Sequence, residues 1–308
     1  MTERAFDRFV IFSIMRSGSN LLERFLDQYD GLACHGELFN PLFIGKTGQL
    51  SLFGISVENR RKNPASLLTA IDAAMPHQLN GLRYFPAHDE VALHTLIDDP
   101  RCAKIILQRN PVDSFVSQCI AEYSDIWLIG SEKDRMPISV PVSVGAFRKY
   151  CVDRNAFFGR IERRLATTGQ QALRINYGDL LDLDKINALA MTIGARAPLA
   201  ALQQPIKRQN PGPLQAKITN YAEVYEELGL PKPATIPGAK ILPAAEDPSY
   251  WVWPLPYYTC DEIPLAFAPL LANTKQPIAA WLNLLPSKNR TGLHFEQLVK
   301  WRDVHEGA

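Results

Sequence analysis

The sequence predicts an α/β fold: a P-loop-like parallel sheet with helices on both faces, plus an irregular, proline-rich C-terminal extension. Three observations carry this. Strand-like apolar runs alternate with helix-like patterns through the first two hundred residues. Two strand ends pass through a short turn directly into a helix, the arrangement that presents backbone N–H groups to an anion. Composition then shifts after about Ala197: 15 of the 23 prolines lie between Pro198 and Pro286, and proline lacks the N–H that helix interiors and central strands require.

The elements follow in order. Phe9-Val10-Ile11-Phe12 is a continuous apolar run, so residues 9–13 read as a strand buried on both faces. Leu21, Leu22, Phe25 and Leu26 repeat at helical spacing, giving a helix over 20–29. Short strands are expected over 31–35, 78–84, 103–108 and 172–176. Helices are expected between them over 65–75, 90–98, 112–123, 144–166 and 184–193. Ligands of such sheets sit outside the carboxyl ends of the strands. The division expected is an α/β domain over 1–228 and an extension over 229–308 that wraps the core or forms an interface, with short helices at 277–285 and 291–302.

Composition limits the function classes. Basic and acidic residues nearly balance, 33 against 32, so no global field recruits nucleic acid or an anionic membrane, and any anion site must be local. The five cysteines are scattered and lack Cys-x-x-Cys spacing. This argues against a disulfide framework or a zinc site and for a reducing, cytoplasmic setting. The charged start leaves no room for a signal peptide, and no run reaches the roughly 18 apolar residues of a membrane span.

The first candidate site is Ser13-Ile14-Met15-Arg16-Ser17-Gly18-Ser19-Asn20, between the first strand and the first helix. Arg16 offers a fixed cation with a planar fork of donors, and the N–H groups of Ser17, Gly18, Ser19 and Asn20 stand at a helix start. The second is Gln108-Arg109-Asn110-Pro111-Val112-Asp113 with Ser117. Pro111 suits the first helical position and Asn110 the N-cap. Arg109 and Ser117, eight positions apart, can then bracket one phosphate.

Together these residues resemble the sulfotransferases that use 3'-phosphoadenosine 5'-phosphosulfate, most closely the bacterial carbohydrate group acting on trehalose, lipopolysaccharide-type or Nod-factor glycans. The resemblance spans roughly residues 8–228. It implies that Arg16-Ser17-Gly18-Ser19-Asn20 binds the 5'-phosphosulfate and that Arg109 and Ser117 bind the 3'-phosphate. It implies that Glu37, in His35-Gly36-Glu37-Leu38-Phe39, is the general base, with His35 as the competing candidate. It brings Tyr177 near the adenine, although Gly178 stands where an acidic residue is usual. It also implies that Lys207, Arg208 and Gln209 belong to a basic segment closing over the nucleotide.

The acceptor so implied is a hydroxyl of a carbohydrate or glycolipid. The loops around 40–62 and 124–142 would select it, no metal is needed, and a homodimer is the family expectation. Cys34 and His35 cannot act as a nucleophile pair, because adjacent strand residues point to opposite faces. Two rivals remain. A P-loop kinase or NTPase would need Gly at Ser13 and Lys-Ser/Thr at Ser19-Asn20. A non-catalytic nucleotide-binding protein would keep the same fold.

Overall fold

The structure is a computed structural model that describes residues 4–126, 138–203 and 213–228. Lys207, Arg208, Gln209 and the whole extension expected after residue 228 lie outside the described residues.

In chain order the elements are β1 (Arg8–Phe12), α1 (Ser19–Leu26), β2 (Leu32–Cys34), β3 (Ser51–Leu52), β4 (Ile55–Ser56), α2 (Val57–Lys62), α3 (Pro64–Ala74) and β5 (Leu79–Tyr84). Then come α4 (Glu90–Asp98), β6 (Cys102–Gln108), α5 (Pro111–Ser124), α6 (Val144–Thr167), β7 (Leu173–Asn176), α7 (Leu183–Ile193) and α8 (Tyr221–Leu228). Five strands form one parallel sheet in the order β2-β5-β1-β6-β7. The chain divides into two compact units.

The first unit, Met1–Arg109 with Ile126–Arg135 and Asp153–Pro211, holds the sheet. Period-2 alternation decides what covers each face. Phe9, Ile11, Ile105, Leu107 and Ile175 turn to one side and pack with Leu22 and Phe25 of α1 and Ile186, Ala190 and Ile193 of α7. Phe12 and Tyr84 turn to the other, where both meet the ring of Phe157 on α6. On that second side Asn80 donates to Asp72 of α3. Helices therefore flank the sheet on both faces, as the alternating pattern predicts.

The central strand β1 pairs with β5 on one side and β6 on the other. Its carboxyl end releases the chain into the Arg16–Gly18 turn, and the neighbouring β6 ends at Gln108, directly before Arg109. The turn chemistry stops α1 three residues earlier than the helix expected over 20–29. Asp27 is the C-cap, and Tyr29 reaches out to donate its hydroxyl to Asn187 Oδ1 at 2.7 Å.

The second unit comprises Asn110–Asp125 and the described parts of Met136–Val152 and Gly212–Ala308. Asn110 caps α5 by accepting the Val112 N–H at 2.9 Å, with Pro111 at the first helical position. The unit's core joins Phe115, Phe147 and Tyr150 in a cluster of rings. Arg148 faces Glu227 at 3.5 Å.

Three elements are absent from the sequence expectation: the β3–β4 hairpin and α2, both within the stretch treated as a loop, and α8. α2 reads Val57-Glu58-Asn59-Arg60-Arg61-Lys62, with no apolar stripe to announce it. Its buried side chain is a cation. Arg60 is 1% exposed and donates to the carbonyls of Leu38 (2.6 Å), Phe43 (2.9 Å) and Asn40 (2.7 Å). One guanidinium thus satisfies three backbone acceptors of the loop that follows Glu37.

Candidate active site

The Arg16–Asn20 segment is a tight turn held from below. The Ser17 hydroxyl donates to the Ile14 carbonyl at 2.7 Å, and the Ser17 N–H to the same oxygen at 3.3 Å. Both Ser17 donors therefore shape the turn. Gly18 is the N-cap of α1 and has φ 94°, a conformation that favours glycine. A Cβ there would also meet the Tyr177 ring at 2.6 Å. The Gly18 carbonyl takes the N–H groups of Leu21 and Leu22. Among the described residues, no hydrogen-bond partner occupies the N–H groups of Gly18, Ser19 and Asn20, the usual state of a helix start.

Arg16 sits in the turn with φ 65°, strained for a residue with a side chain. Arg109, from the end of β6, donates Nη1–H to the Arg16 carbonyl at 2.9 Å. Its guanidinium also lies 4.1 Å from the centre of the Tyr177 ring. Burial, and then the charge of Arg109, lower the Arg16 pKa to about 10. Two cations are thus held within mutual repulsion at one end of the sheet, where a multiply charged anion would relieve both. The structure brings Arg16, Gly18, Arg109 and Tyr177 together. Ser117 lies two turns into α5, buried, and belongs to the second unit.

A second cluster grows from the chain after β2. Gly36, at φ 70°, leaves no room for a Cβ, which would sit 2.2 Å from the Gly45 carbonyl oxygen. Glu37 and Gly45 then exchange backbone hydrogen bonds at 3.0 and 3.1 Å, which fixes where Glu37 emerges. Its Oε1 lies 3.5 Å from Arg83 of β5, and its Oε2 accepts from Asn40 at 2.8 Å and stands 3.3 Å from His88 Nε2. Arg83 also binds Glu23 of α1 at 2.6 Å, and Glu23 accepts the Gly36 N–H at 2.5 Å. The helix that leaves the Arg16 turn is thereby tied to the Glu37 loop.

His35 is placed elsewhere. Its Nε2 lies 2.9 Å from Asn80 Oδ1, and its ring meets Phe53 edge-on. The sequence reading did not single out Arg83 or His88. The rule that pointed to the other two strand ends applies equally here, because Phe85-Pro86-Ala87-His88 follows the carboxyl end of β5, next to β1.

Charge states follow from these surroundings. Burial alone would raise the Glu37 pKa, but the hydrogen bond from His88, the charge of Arg83 and the hydrogen bond from Asn40 outweigh it and hold it below its ordinary 4.5. Burial lowers the His88 pKa from 6.5 against the opposing pull of Glu37, so the ring is neutral at pH 7. Both groups bind protons less readily folded than unfolded. Stability should therefore fall with acidification, beginning below about pH 6.5 for His88 and continuing below about 4.5 for Glu37. Thermal unfolding from pH 7.5 to 4 checks this. His88→Gln should remove the upper part of the decline, and a wild-type profile flat from pH 7 to 5 would contradict it.

No group of His, Cys, Asp and Glu suited to a metal ion occurs among the described residues, nor any helix long and apolar enough to cross a membrane.

No protein-family model and no curated protein matches the chain. Solved structures similar to it include two sulfotransferases. One is a sulfotransferase from Alicyclobacillus acidocaldarius, at 14% identity and a TM-score of 0.45, over 91% of this chain and 99% of that one. The other is the sulfotransferase domain from the curacin biosynthetic pathway, at 17% identity and a TM-score of 0.38, over 94% of this chain and 96% of that one.

Proposed function

We propose that this protein is a sulfotransferase that moves a sulfuryl group from 3'-phosphoadenosine 5'-phosphosulfate to a hydroxyl of a carbohydrate or glycolipid. The observation that carries the reading is the pair of guanidiniums, Arg16 and Arg109, drawn together beside a helix start. A single cation at a strand end is ordinary surface chemistry. Two that repel one another across a glycine turn suit a ligand with several negative charges. The buried Ser13 hydroxyl, directly after β1, has no hydrogen-bond partner among the described residues and adds a polar group next to the same turn.

When bound, the donor would supply an activated sulfuryl group on a phosphate leaving group. In the proposed assignment, Arg16 and the N–H groups of Gly18, Ser19 and Asn20 hold the 5' end, with Ser17 shaping the turn. Arg109 and Ser117 hold the 3'-phosphate, and Tyr177 contacts the adenine. Lys207, Arg208 and Gln209, which lie outside the described residues, are proposed as further nucleotide contacts. Such a loose transition state leaves the protein mainly to position groups and stabilise charge. Glu37 takes the proton of the acceptor hydroxyl. The α/β domain over 1–228 carries these residues, and the segment after it is proposed as a wrap or an interface, with a homodimer as the assembly.

Calorimetry with 3'-phosphoadenosine 5'-phosphate tests the donor assignment. Arg109→Ala should weaken binding about 10- to 100-fold, the worth of a charge-assisted hydrogen bond. Equal wild-type affinity for adenosine 5'-phosphate, which lacks the 3' group, would contradict the role of Arg109. Turnover of MgATP without phosphosulfate-dependent transfer would replace the reading with a kinase or NTPase.

A further inference from the structure

The carboxylate assigned as base is governed by a side chain with a fixed proton. His88 is 5% exposed and walled by the rings of Tyr84 and Phe85, with centroids 5.3 and 5.2 Å away. The Phe85 N–H donates to its Nδ1 at 3.3 Å. That contact leaves the ring proton on Nε2, pointed at Glu37 Oε2 at 3.3 Å. A neutral ring wired in this way has no lone pair on Nε2, so at that atom it can only donate.

The two oxygens of Glu37 are then unequal. Oε2 receives both His88 and the Asn40 amide at 2.8 Å, which uses its two in-plane lone pairs. Among the described residues, Oε1 faces only Arg83, at 3.5 Å. We infer that His88 is a positioning residue: by donating to Oε2 it holds Glu37 ionised and makes Oε1 the atom that accepts the proton. The inference deepens the transferase reading and rests on Glu37 being its base. In the step, the acceptor O–H bond breaks and Oε1–H forms, while His88 keeps its Nε2–H throughout.

The groups facing this pair come from several elements. Arg83 of β5 lies between Glu37 and Glu23 of α1. Arg60 of α2 adds positive charge that disfavours protonation of His88. Asp89, directly after His88, caps α4 by accepting the Ala92 N–H at 3.0 Å. Burial and the charges of Arg83 and Arg60 favour a neutral His88, and Arg83, with the hydrogen bonds from His88 and Asn40, favours an ionised Glu37 at pH 7.

Two variants of the full chain separate positioning from mere packing. His88→Asn keeps an acceptor near Nδ1 for Phe85 but cannot reach Glu37. His88→Gln keeps a donor near the Nε2 position. The Glu37 carboxyl is titrated by NMR in ¹³C-glutamate-labelled protein, its signal assigned with Glu37→Gln. Transfer from 3'-phosphoadenosine 5'-phosphosulfate is followed against pH with trehalose as the probe hydroxyl.

In His88→Asn the Glu37 titration should move upward, and the acidic limb of kcat with it. Its kcat at neutral pH should fall about tenfold or more with KM little changed. His88→Gln should restore the titration and recover most of the lost transfer. A Glu37 titration unmoved in the Asn variant, or moved equally in the Gln variant, overturns the inference. A titration that moves as expected beside a wild type that transfers nothing overturns the transferase reading and leaves the coupling of His88 to Glu37 standing.

Discussion

Glu37→Gln is expected to lower kcat about 10²- to 10⁴-fold, the usual worth of a positioned general base. The amide keeps the size of the side chain and can still pair with Asn40, but it cannot take a proton. The wild-type carboxylate is held below its ordinary pKa, which makes it a weak base toward an isolated hydroxyl. It suffices if the proton leaves late, when the acceptor oxygen has gained bonding to the transferred group and become acidic. The rate should then stay level from neutral pH down to the ordinary carboxylate range and fall below it. Steady-state kinetics and unfolding of the two proteins side by side test this. Transfer by a well-folded Glu37→Gln at the wild-type rate would mean that another group, or none, removes the proton.

Arg16→Ala is expected to reduce turnover about 10²- to 10³-fold, comparable to loss of one preorganised donor at a developing negative charge. Nucleotide affinity should change far less than turnover, because Arg109 and the helix start still bind the ground state. Stability makes this result interpretable. Alanine bears the same left-handed strain at φ 65° that arginine does. Burial and the neighbouring Arg109 make the Arg16 charge less favourable in the folded state, as its pKa of about 10 records. Removing it should leave Tm unchanged or raise it, a trade of stability for activity often seen at binding sites. A large drop in Tm would assign Arg16 to the scaffold, and equal losses in affinity and turnover would make it a binding group only.

The sequence by itself determined the framework. The apolar runs Phe9–Phe12 and Ile105–Leu107 read as strands buried on both faces, and Pro111 behind Asn110 marks a helix start. Spacing and turn chemistry are local, so they survive without knowledge of what packs against them. The Arg16–Asn20 turn was legible for the same reason. The α2 helix was not, because its buried face is the single guanidinium of Arg60 answering three carbonyls, and no apolar period records such a contact. What only the tertiary structure decided is which charged groups share a neighbourhood. Arg16 and Arg109 are 93 residues apart in the chain and meet because β1 and β6 are adjacent. Glu37 and His88 are separated by 51 residues and meet through β5. Electrostatic work depends on distance in space rather than in sequence, and strand order, which sets that distance, is fixed by long-range packing that no local pattern encodes.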